Sequence, residues 1–434
     1  MSFDLIIRNT SELLTCDGPL GKPEQTLKPI ANGALAIADG KIAWLGPDAE
    51  LPRDQVDGHT EEIDARGSLV GPGLVDCHTH LIFGGDRAAE FEQRCQGATY
   101  LQIAESGGGI QSTVKATRAA TERELMYWAL PRAVELLSQG ITTCEVKSGY
   151  GLDVESELKM LRAVKALDLL QAVRLIPTVL PLHAVPQGLQ REDWVRKCID
   201  ELLPKVAADK LARFCDVFVE KSAFTADEAR AVLGKAKELG LIPRLHVDQL
   251  TSGGGAELAA ELGAATADHL EHISDAGIAA LAKSKTVAVL NPTSTLFLRE
   301  RQYAPGRKLA DAGVLVALCT NCNPGSSMTE NAALAMSLAC LENGLTPAEA
   351  YLGFTRHGAE ALRLTDAGRL AVGLPADLVV YQCKSYRTLP YHLGVSEVRS
   401  VLKDGLLAWE LGRVVTKLGG IVAKEGRIVG LPQA

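Results

Sequence analysis

Two histidines separated by one residue follow a short apolar run near the start of the chain. The run is GLVDCHTH, residues 73–80, and it carries His78 and His80. Side chains alternate along a strand, so these two imidazoles point the same way if the run is extended. Imidazole nitrogen is a common ligand of zinc and iron. Because HxH pairs also occur without a metal, the pair predicts a metal site only if further ligands converge on it.

Further polar residues lie where other apolar runs end: His183, His246, His269 and Asn321. The chain has nine histidines, and five of them lie at such ends. Each of these histidines taken alone is more often an ordinary buried side chain. Their shared position at the ends of runs predicts instead that they meet at one site.

The predicted ligands of this site are His78, His80 and His246, with an oxygen from Asn321. Three protein nitrogens and one oxygen suit a single Zn(II) or Fe ion, and these residue types do not distinguish the two metals. A catalytic site of this kind keeps a position open for water. The ion lowers the pKa of that water toward ~7, which provides hydroxide at neutral pH.

Eight short runs rich in β-branched residues occupy the middle of the chain, at 73–80, 141–148, 174–183, 215–220, 243–248, 265–270, 286–292 and 314–321. Helix-like segments rich in Ala, Leu and Glu separate them, for example 122–140, 155–170 and 226–240. This alternation predicts an α/β fold, a parallel (β/α)₈ barrel. Barrel enzymes place their active sites at the C-terminal ends of the strands, where the histidines lie. The long segment 84–121 is expected to be functional or to contain helices of its own.

Both ends of the chain are rich in predicted strands, which include residues 34–46 around the turn Asp39-Gly40 and the stretch 419–430. Neither end alone has enough strands to bury one face of a sheet. We therefore predict a small β-sandwich domain built from both ends. The predicted boundaries are 1–66 and 367–434 for the two parts of this domain, and 67–366 for the barrel.

Composition narrows the class of protein. The 434 residues carry a net charge of −8 without a basic cluster, which argues against nucleic-acid binding. No apolar run reaches the ~20 residues that a membrane helix needs, and MSFDLIIRNT lacks the pattern of a secretory signal. Ten scattered cysteines favour the reducing cytoplasm. Cys319 and Cys322 form one CxxC, which we interpret as two reduced thiols rather than a redox pair or half of a zinc site.

Several stretches resemble the amidohydrolase superfamily: PGLVDCHTH (72–80), LHVD (245–248), ADHLEH (267–272) and GRLAVGLPADLVV (368–380). Others resemble the imidazolonepropionase family within it: GGDRAAEFEQR (84–94), SGGGIQSTV (106–114), EVKSGYGLD (145–153), TVLPLHAVP (178–186), HVDQL (246–250) and NPGSS (323–327). The resemblance covers essentially the whole chain. It implies a metal-dependent hydrolase that opens the ring of 4-imidazolone-5-propanoate to N-formimidoyl-L-glutamate in histidine degradation.

The resemblance also implies roles for individual residues. The Arg87 guanidinium would clamp the substrate propionate, Tyr150 would hydrogen-bond the substrate, and His183 would hold the ring carbonyl. Gln249 would recognise the ring nitrogens as donor and acceptor. Further polar contacts would come from Asn323, Gly325 and Ser326. The alternatives are a surface salt bridge for Arg87 and simple packing for Tyr150.

The sequence departs from the superfamily at one position. Most amidohydrolases end strand eight with an aspartate that ligates the metal and accepts a proton, and this chain has Asn321. An amide is a weak ligand and a poor base. We therefore expect His269 to move the proton, with His183 and Gln249 as the other catalytic residues.

The alternatives to the implied function are a ring hydrolase or deaminase for another heterocycle, and a catalytically impaired binding protein. The expected partner is a small molecule, and a homodimer is the alternative to a monomer.

Overall fold

The structure, a computed structural model, describes residues 2–98, 108–221, 223–411 and 413–414. Its strands are β1 Leu5–Leu14, β2 Pro29–Ala31, β3 Gly33–Ala38, β4 Lys41–Pro47, β5 Glu61–Pro72, β6 Leu74–Asp76, β7 Ile141–Lys147, β8 Arg174–Leu182, β9 Phe214–Val219, β10 Ile242–Val247, β11 Thr266–His269, β12 Val287–Leu290, β13 Val316–Leu318, β14 Leu378–Tyr381, β15 Val398–Lys403, β16 Leu406–Glu410 and β17 Arg413–Val414.

The helices alternate with these strands in the middle of the chain. They are α1 Pro23–Leu27, α2 Ala88–Cys95, α3 Ile110–Ala119, α4 Glu122–Ser138, α5 Val154–Asp168, α6 Arg191–Lys197, α7 Leu203–Ala208, α8 Ala226–Glu238, α9 Gly255–Leu262, α10 Asp275–Ala282, α11 Pro292–Leu298, α12 Gly306–Asp311, α13 Ala332–Leu341, α14 Pro347–Gly353, α15 Arg356–Ala361 and α16 Thr388–Tyr391. Short 3₁₀ helices span Asp48–Glu50 and Arg53–Gln55, and a π-helical turn spans Cys198–Leu202. Among the described helices, none is both long enough and apolar enough for a membrane span.

Strands β6 to β13 pair in parallel and in chain order, which confirms the predicted eight-stranded α/β barrel. Each of the eight predicted apolar runs overlaps one of these strands, although β9 and β10 begin one residue before the predicted run. Helices cover the outside of the sheet, and this explains why the strands lack the alternating pattern of a half-exposed sheet.

The first and last strands of the barrel, β6 and β13, share no hydrogen-bonded ladder. Other hydrogen bonds join this part of the barrel. The buried Asp76 carboxylate accepts a 2.6 Å hydrogen bond from Thr320 Oγ1. Just beyond the strands, the His80 backbone N–H donates to the Cys322 carbonyl at 2.9 Å. These contacts bring the HxH segment next to the segment that contains Asn321.

Three helices begin with the same local signal, a threonine followed three residues later by glutamate. The threonines are Thr121, Thr225 and Thr346, and each side chain accepts from the backbone N–H of its glutamate while the glutamate accepts from the threonine N–H. Such capping boxes satisfy backbone donors that the first helical turn leaves free. They fix the starts of α4, α8 and α14.

The long segment 84–121 was expected to be functional or to contain helices of its own. It contains two helices, α2 and α3. Part of this segment, and with it the start of the SGGG stretch at 106–109, lies outside the described residues.

Both chain ends contribute to one mixed sheet, which confirms the predicted composite β domain. Strand β5 connects the two ends, because it pairs with β1 on one side and with β14 on the other. The β3–β4 turn uses Asp39 and Gly40, both with positive φ, as a two-residue hairpin turn requires. The predicted boundary at 66/67 falls inside β5, and the division of the chain into domains stays a prediction. The stretch 419–430 lies outside the described residues.

Candidate metal centre and active site

Three histidines meet at the C-terminal mouth of the barrel. Ligand atoms of His78, His80 and His246 all lie within 4.8 Å of one another, and all three side chains are buried. His78 Nε2 and His80 Nδ1 have no hydrogen-bond partner, and His246 Nε2 lies 3.4 Å from His80 Nε2. The partnerless Nε2 of His78 and the facing Nε2 atoms of His80 and His246 fit a shared metal ion.

Two aspartates, one on β9 and one on β11, orient two of these imidazoles. Asp268 Oδ2 lies 2.6 Å from His78 Nδ1, and Asp216 Oδ1 lies 3.1 Å from His246 Nδ1. A carboxylate at Nδ1 keeps the proton on that nitrogen and leaves the Nε2 lone pair for a ligand bond. This arrangement is typical of metal-binding histidines.

A group of ionic side chains, which we call the charged layer, lies next to the histidines inside the barrel: Glu145, Lys147, Asp216, Arg244 and Asp268. Lys147 Nζ lies 2.8 Å from both Glu145 Oε1 and Asp216 Oδ2. Arg244 Nη2 lies 3.0 Å from Asp268 Oδ2 and donates to the Cys77 carbonyl at 2.7 Å. The two cations therefore hold the two aspartates that orient His78 and His246.

Burial sets the protonation of the histidines. Burial, followed by the positive charges of Lys147 and the other imidazoles, holds the pKa values of His78 and His246 well below the ordinary value. Burial, followed by the charges of His183 and His246, does the same for His80. Neutral imidazole is the form that binds a metal, so the shifts favour metal binding at neutral pH.

The two aspartates respond differently to the same burial. Burial raises the pKa of Asp216, and the attraction of Lys147 only partly opposes this. For Asp268 burial also acts upward, but Arg244 and Lys147 together outweigh it and hold the pKa below the ordinary value. Asp268, which pairs with both Arg244 and Lys147, is thus the carboxylate that bonds to His78.

Tyr150 and His183 lie beside the histidine cluster. The His183 ring stacks on that of His80 with centroids 5.1 Å apart, and Tyr150 lies 5.2 Å from His183. Burial lowers the pKa of His183 to about 4. The buried Glu157 carboxylate holds the Tyr150 turn, because it accepts from the N–H groups of Gly149 and Gly151.

Arg87 lies against the turn that follows β13. A methyl group added to Gly325 would come within 2.3 Å of Arg87 Nη1, so glycine lets the guanidinium approach the backbone there. Arg87 also pairs with Glu90 at 2.7 Å. Its positive charge acts on Tyr150, although burial dominates and raises the pKa of that phenol. The structure therefore brings Arg87, Tyr150 and the Gly325 turn into one neighbourhood.

The turn at 323–326 is held together by Asn323. Its Oδ1 accepts from the N–H groups of Gly325 and Ser326, both at 2.8 Å. Its Nδ2 donates to Ser326 Oγ and to Asn321 Oδ1, at 2.9 and 3.2 Å. The backbone N–H groups of Gly325 and Ser326 are thus bonded within the turn. Asn321 is buried beside them with φ 51°.

His269 completes the group of imidazoles. Its ring centroid lies 5.3 Å from that of His246 and 5.7 Å from that of His78. Its Nδ1 makes no hydrogen bond and lies 3.7 Å from Glu271 Oε1. His269 and Leu270 both have positive φ, 85° and 70°, a conformation that is costly for residues other than glycine. This bend turns the chain so that Glu271 lies beside His269.

Gln249 lies three residues after His246 along the chain. It is half-buried just after β10 and lines a cavity of about 100 Å³ together with Glu271 and His272. Glu271 connects this cavity with His269.

The residues that support the site were not predicted: the charged layer, Glu157 and Glu271. One signal for the charged layer is present in the sequence, because EVK, FCD, PRLH and ADH place charges inside strands otherwise filled by apolar residues. A strand buried on both faces has little room for a charge without a structural or catalytic reason.

Known proteins match this chain along most of its length. The model of the amidohydrolase family matches residues 69–407. An imidazolonepropionase of Myxococcus xanthus (strain DK1622) is 60% identical over 94% of this chain and 97% of its own length. Another, from Anaeromyxobacter sp. (strain K), is 52% identical over 92% of this chain and 95% of its own length.

Solved structures share the fold at low sequence identity. E. coli guanine deaminase superposes with a TM-score of 0.67 at 18% identity and covers 93% of this chain and 98% of its own. The 5-methylcytosine deaminase of Klebsiella pneumoniae gives 0.69 at 17% identity, over 93% of this chain and 97% of its own. These likenesses support the architecture alone.

Proposed function

This chain belongs to the amidohydrolase family and, within it, to the imidazolonepropionases, and from that premise we propose that it hydrolyses the ring of 4-imidazolone-5-propanoate. The product is N-formimidoyl-L-glutamate, and the step belongs to histidine degradation. The observation that carries the proposal is the cluster of His78, His80 and His246, bordered by Tyr150 and His183.

The donor set fits one transition-metal ion. His78, His80 and His246 would hold it, with the Asn321 amide oxygen as a further ligand. When bound, zinc or iron supplies Lewis acidity, which polarises the scissile carbonyl and makes water more acidic. The aspartates at Nδ1 of His78 and His246 fix these rings for the ion.

The surrounding residues orient the substrate. Arg87 pairs with the propionate, because a guanidinium can donate two parallel hydrogen bonds to a carboxylate. Tyr150 and His183 hold the ring next to the histidines. Neutral His183 donates its Nδ1–H to the Gly149 carbonyl at 2.9 Å, so its Nε2 accepts a hydrogen bond from the substrate. Gln249 recognises the ring nitrogens, and the turn of Asn323, Gly325 and Ser326 closes the side near Arg87.

His269 moves the proton. Asn321 has no proton to give and accepts none at neutral pH, whereas a histidine does both in this range. The Nδ1 atom of His269 is free of hydrogen bonds, and the ring borders those of His78 and His246. His269 therefore takes the proton of the attacking water and delivers it to the departing ring nitrogen.

Loss of the ultraviolet absorbance of imidazolonepropionate, measured together with metal content, tests the function. Turnover by the metal-loaded protein supports the proposal. Turnover of neutral purines or pyrimidines instead would indicate a deaminase, because such substrates need no carboxylate partner at Arg87. A protein that binds its metal and the substrate without turnover would be the impaired binding protein that Asn321 suggests.

We expect one tightly bound transition-metal ion per chain. Among the described residues one cluster of three ligand side chains fits a metal, and its carboxylate neighbours bond to histidine rather than face the cluster. Elemental analysis of gently purified protein measures the stoichiometry. Two ions per chain, or none, would contradict the proposed site.

Arg87→Met is expected to raise KM for imidazolonepropionate by about 10- to 100-fold, because a lost charge-assisted contact costs roughly 1.5–3 kcal/mol. Steady-state kinetics on the parent and on Arg87→Met measure the change in KM. Arg123→Met on the exposed face of α4 is the matched control and should keep the parent KM. An unchanged KM for Arg87→Met would show that another group binds the propionate.

The expected compartment is the cytoplasm, since all ten cysteines are free thiols. The substrate is a small molecule, and we expect no partner among nucleic acids or membranes. Sedimentation would decide between a monomer and the homodimer.

A further inference from the structure

The cavity next to Glu271 is lined mainly by polar side chains, together with Leu250 and Leu298. Its volume is about 100 Å³, and its lining includes Gln249, Glu271, His272, Ser294, Thr295 and Gln302. Ser294 is fully buried and its Oγ makes no hydrogen bond. A buried hydroxyl without a partner indicates that the lining can bond to a further molecule.

Glu271 is a buried charged residue of this lining, and 5% of its surface is exposed. Thr295 Oγ1 donates to its Oε1 at 3.0 Å, whereas its Oε2 makes no hydrogen bond. Among the described residues its one ion-pair contact is His269 Nδ1 at 3.7 Å, and no lysine or arginine pairs with it. A buried carboxylate without a cation is costly, so this position suits a cationic ligand.

Ring opening creates such a cation. The oxygen of water forms a bond to the carbonyl carbon while the bond from that carbon to the ring nitrogen breaks. The carbon becomes a carboxylate, and the nitrogen becomes the terminal nitrogen of a formamidine. The two hydrogens of the water end on this formamidine, which is an amidinium cation at neutral pH. The amidinium is planar and offers parallel N–H donors, as guanidinium does.

We infer that this cavity is the subsite for the formamidine end of the molecule, with Glu271 as the carboxylate that receives the amidinium. This inference rests on the proposed function. The position next to His269 fits, because the nitrogen that receives a proton there is the one that becomes the terminal amidinium nitrogen. Gln249, on the same lining, adds an amide oxygen that accepts from a second N–H.

Binding of two product-like ligands tests the subsite. N-formimidoyl-L-glutamate and N-formyl-L-glutamate differ in the cationic nitrogen, which is a neutral oxygen in the second. By calorimetry, the parent protein should bind the first about tenfold or more tightly, as expected for a charge-assisted contact. Glu271→Gln should reduce this preference to within about twofold. Exposed Glu300 lies at the rim of the cavity, and Glu300→Gln should keep the full preference.

A preference that survives in Glu271→Gln, is lost equally in Glu300→Gln, or is missing in the parent would overturn the inference. If Glu271→Gln does not fold, Thr295→Val replaces it. Loss of the hydroxyl removes the hydrogen bond that orients the Glu271 carboxylate through Oε1, so the preference for N-formimidoyl-L-glutamate should fall about threefold. An unchanged preference in Thr295→Val would again overturn the inference. Turnover of imidazolonepropionate is measured separately on the parent. If the parent does not turn over imidazolonepropionate, the proposed function is wrong. If it does, but the preference for N-formimidoyl-L-glutamate does not depend on Glu271, only the subsite is wrong.

Discussion

His269→Ala is expected to lower kcat by about 10²–10⁴ while the protein keeps its full metal content. The loss is the usual contribution of a positioned acid–base group, and the chain offers no carboxylate at position 321 to replace it. The histidine borders the ligand cluster, but its Nδ1 lies toward Glu271, 3.7 Å away. Steady-state kinetics and elemental analysis on the same preparation measure both quantities.

His392→Ala is the control, because that side chain is half exposed and pairs with Glu397 far from the proposed catalytic residues. It should keep the parent kcat. Asn321→Asp should be tolerated, with kcat at or above that of the parent, since it restores a carboxylate where relatives of the superfamily use one. Loss of the metal in His269→Ala would make His269 a ligand, and a kcat near the parent value would assign the proton to another group.

Lys147→Met is expected to destabilise the folded protein by about 3–5 kcal/mol and to weaken metal binding by about 10- to 100-fold. Without the ammonium, the buried carboxylates of Glu145 and Asp216 have lost the cation that lies 2.8 Å from each. Asp216 then no longer holds His246 in a fixed orientation. Denaturant unfolding measures the stability, and competition with a chelator measures the metal affinity.

Lys205→Met removes an ion pair of the same chemistry from the surface. Lys205 and Glu155 are 49% and 74% exposed, and the variant should change stability by less than about 1 kcal/mol. The double variant Lys147→Met/Glu145→Gln removes one buried charge of each sign and should recover part of the lost stability. If Lys147→Met unfolds at the same denaturant concentration as the parent, the charged layer does not support the fold in this way.

The barrel and its histidines could be predicted because their signals are local. Each barrel strand is a short apolar run, and a histidine at the end of a run must lie at the mouth once the strands are parallel. His78 and His80 lie just past the end of β6 at Asp76, where they cluster with His246. These inferences need no knowledge of which distant residues touch.

The support of the site could not be predicted in the same way. Whether Asp216 reaches His246 depends on the register between β9 and β10, in which Asp216 lies opposite Arg244. Register between parallel strands is set by the whole sheet and leaves no mark in either run. Glu157 holds the Tyr150 turn from the following helix, and Glu271 reaches His269 through two residues with positive φ. The sequence pattern contains no signal for such bends.

The pairing of β5 with β14 has a consequence for how the chain is made. Pro72 lies opposite Leu378, so about 300 residues must be synthesised before β5 meets its partner. At roughly 5–20 residues per second, the ribosome needs about 15–60 s for this stretch. During that time the edge of β5 is an open template for other nascent chains, which favours aggregation. The three clustered imidazoles exist once residue 246 is made, long before Thr320 can close the barrel on Asp76. A growing chain therefore still exposes the unpaired edge of β5 after its three clustered histidines have been made.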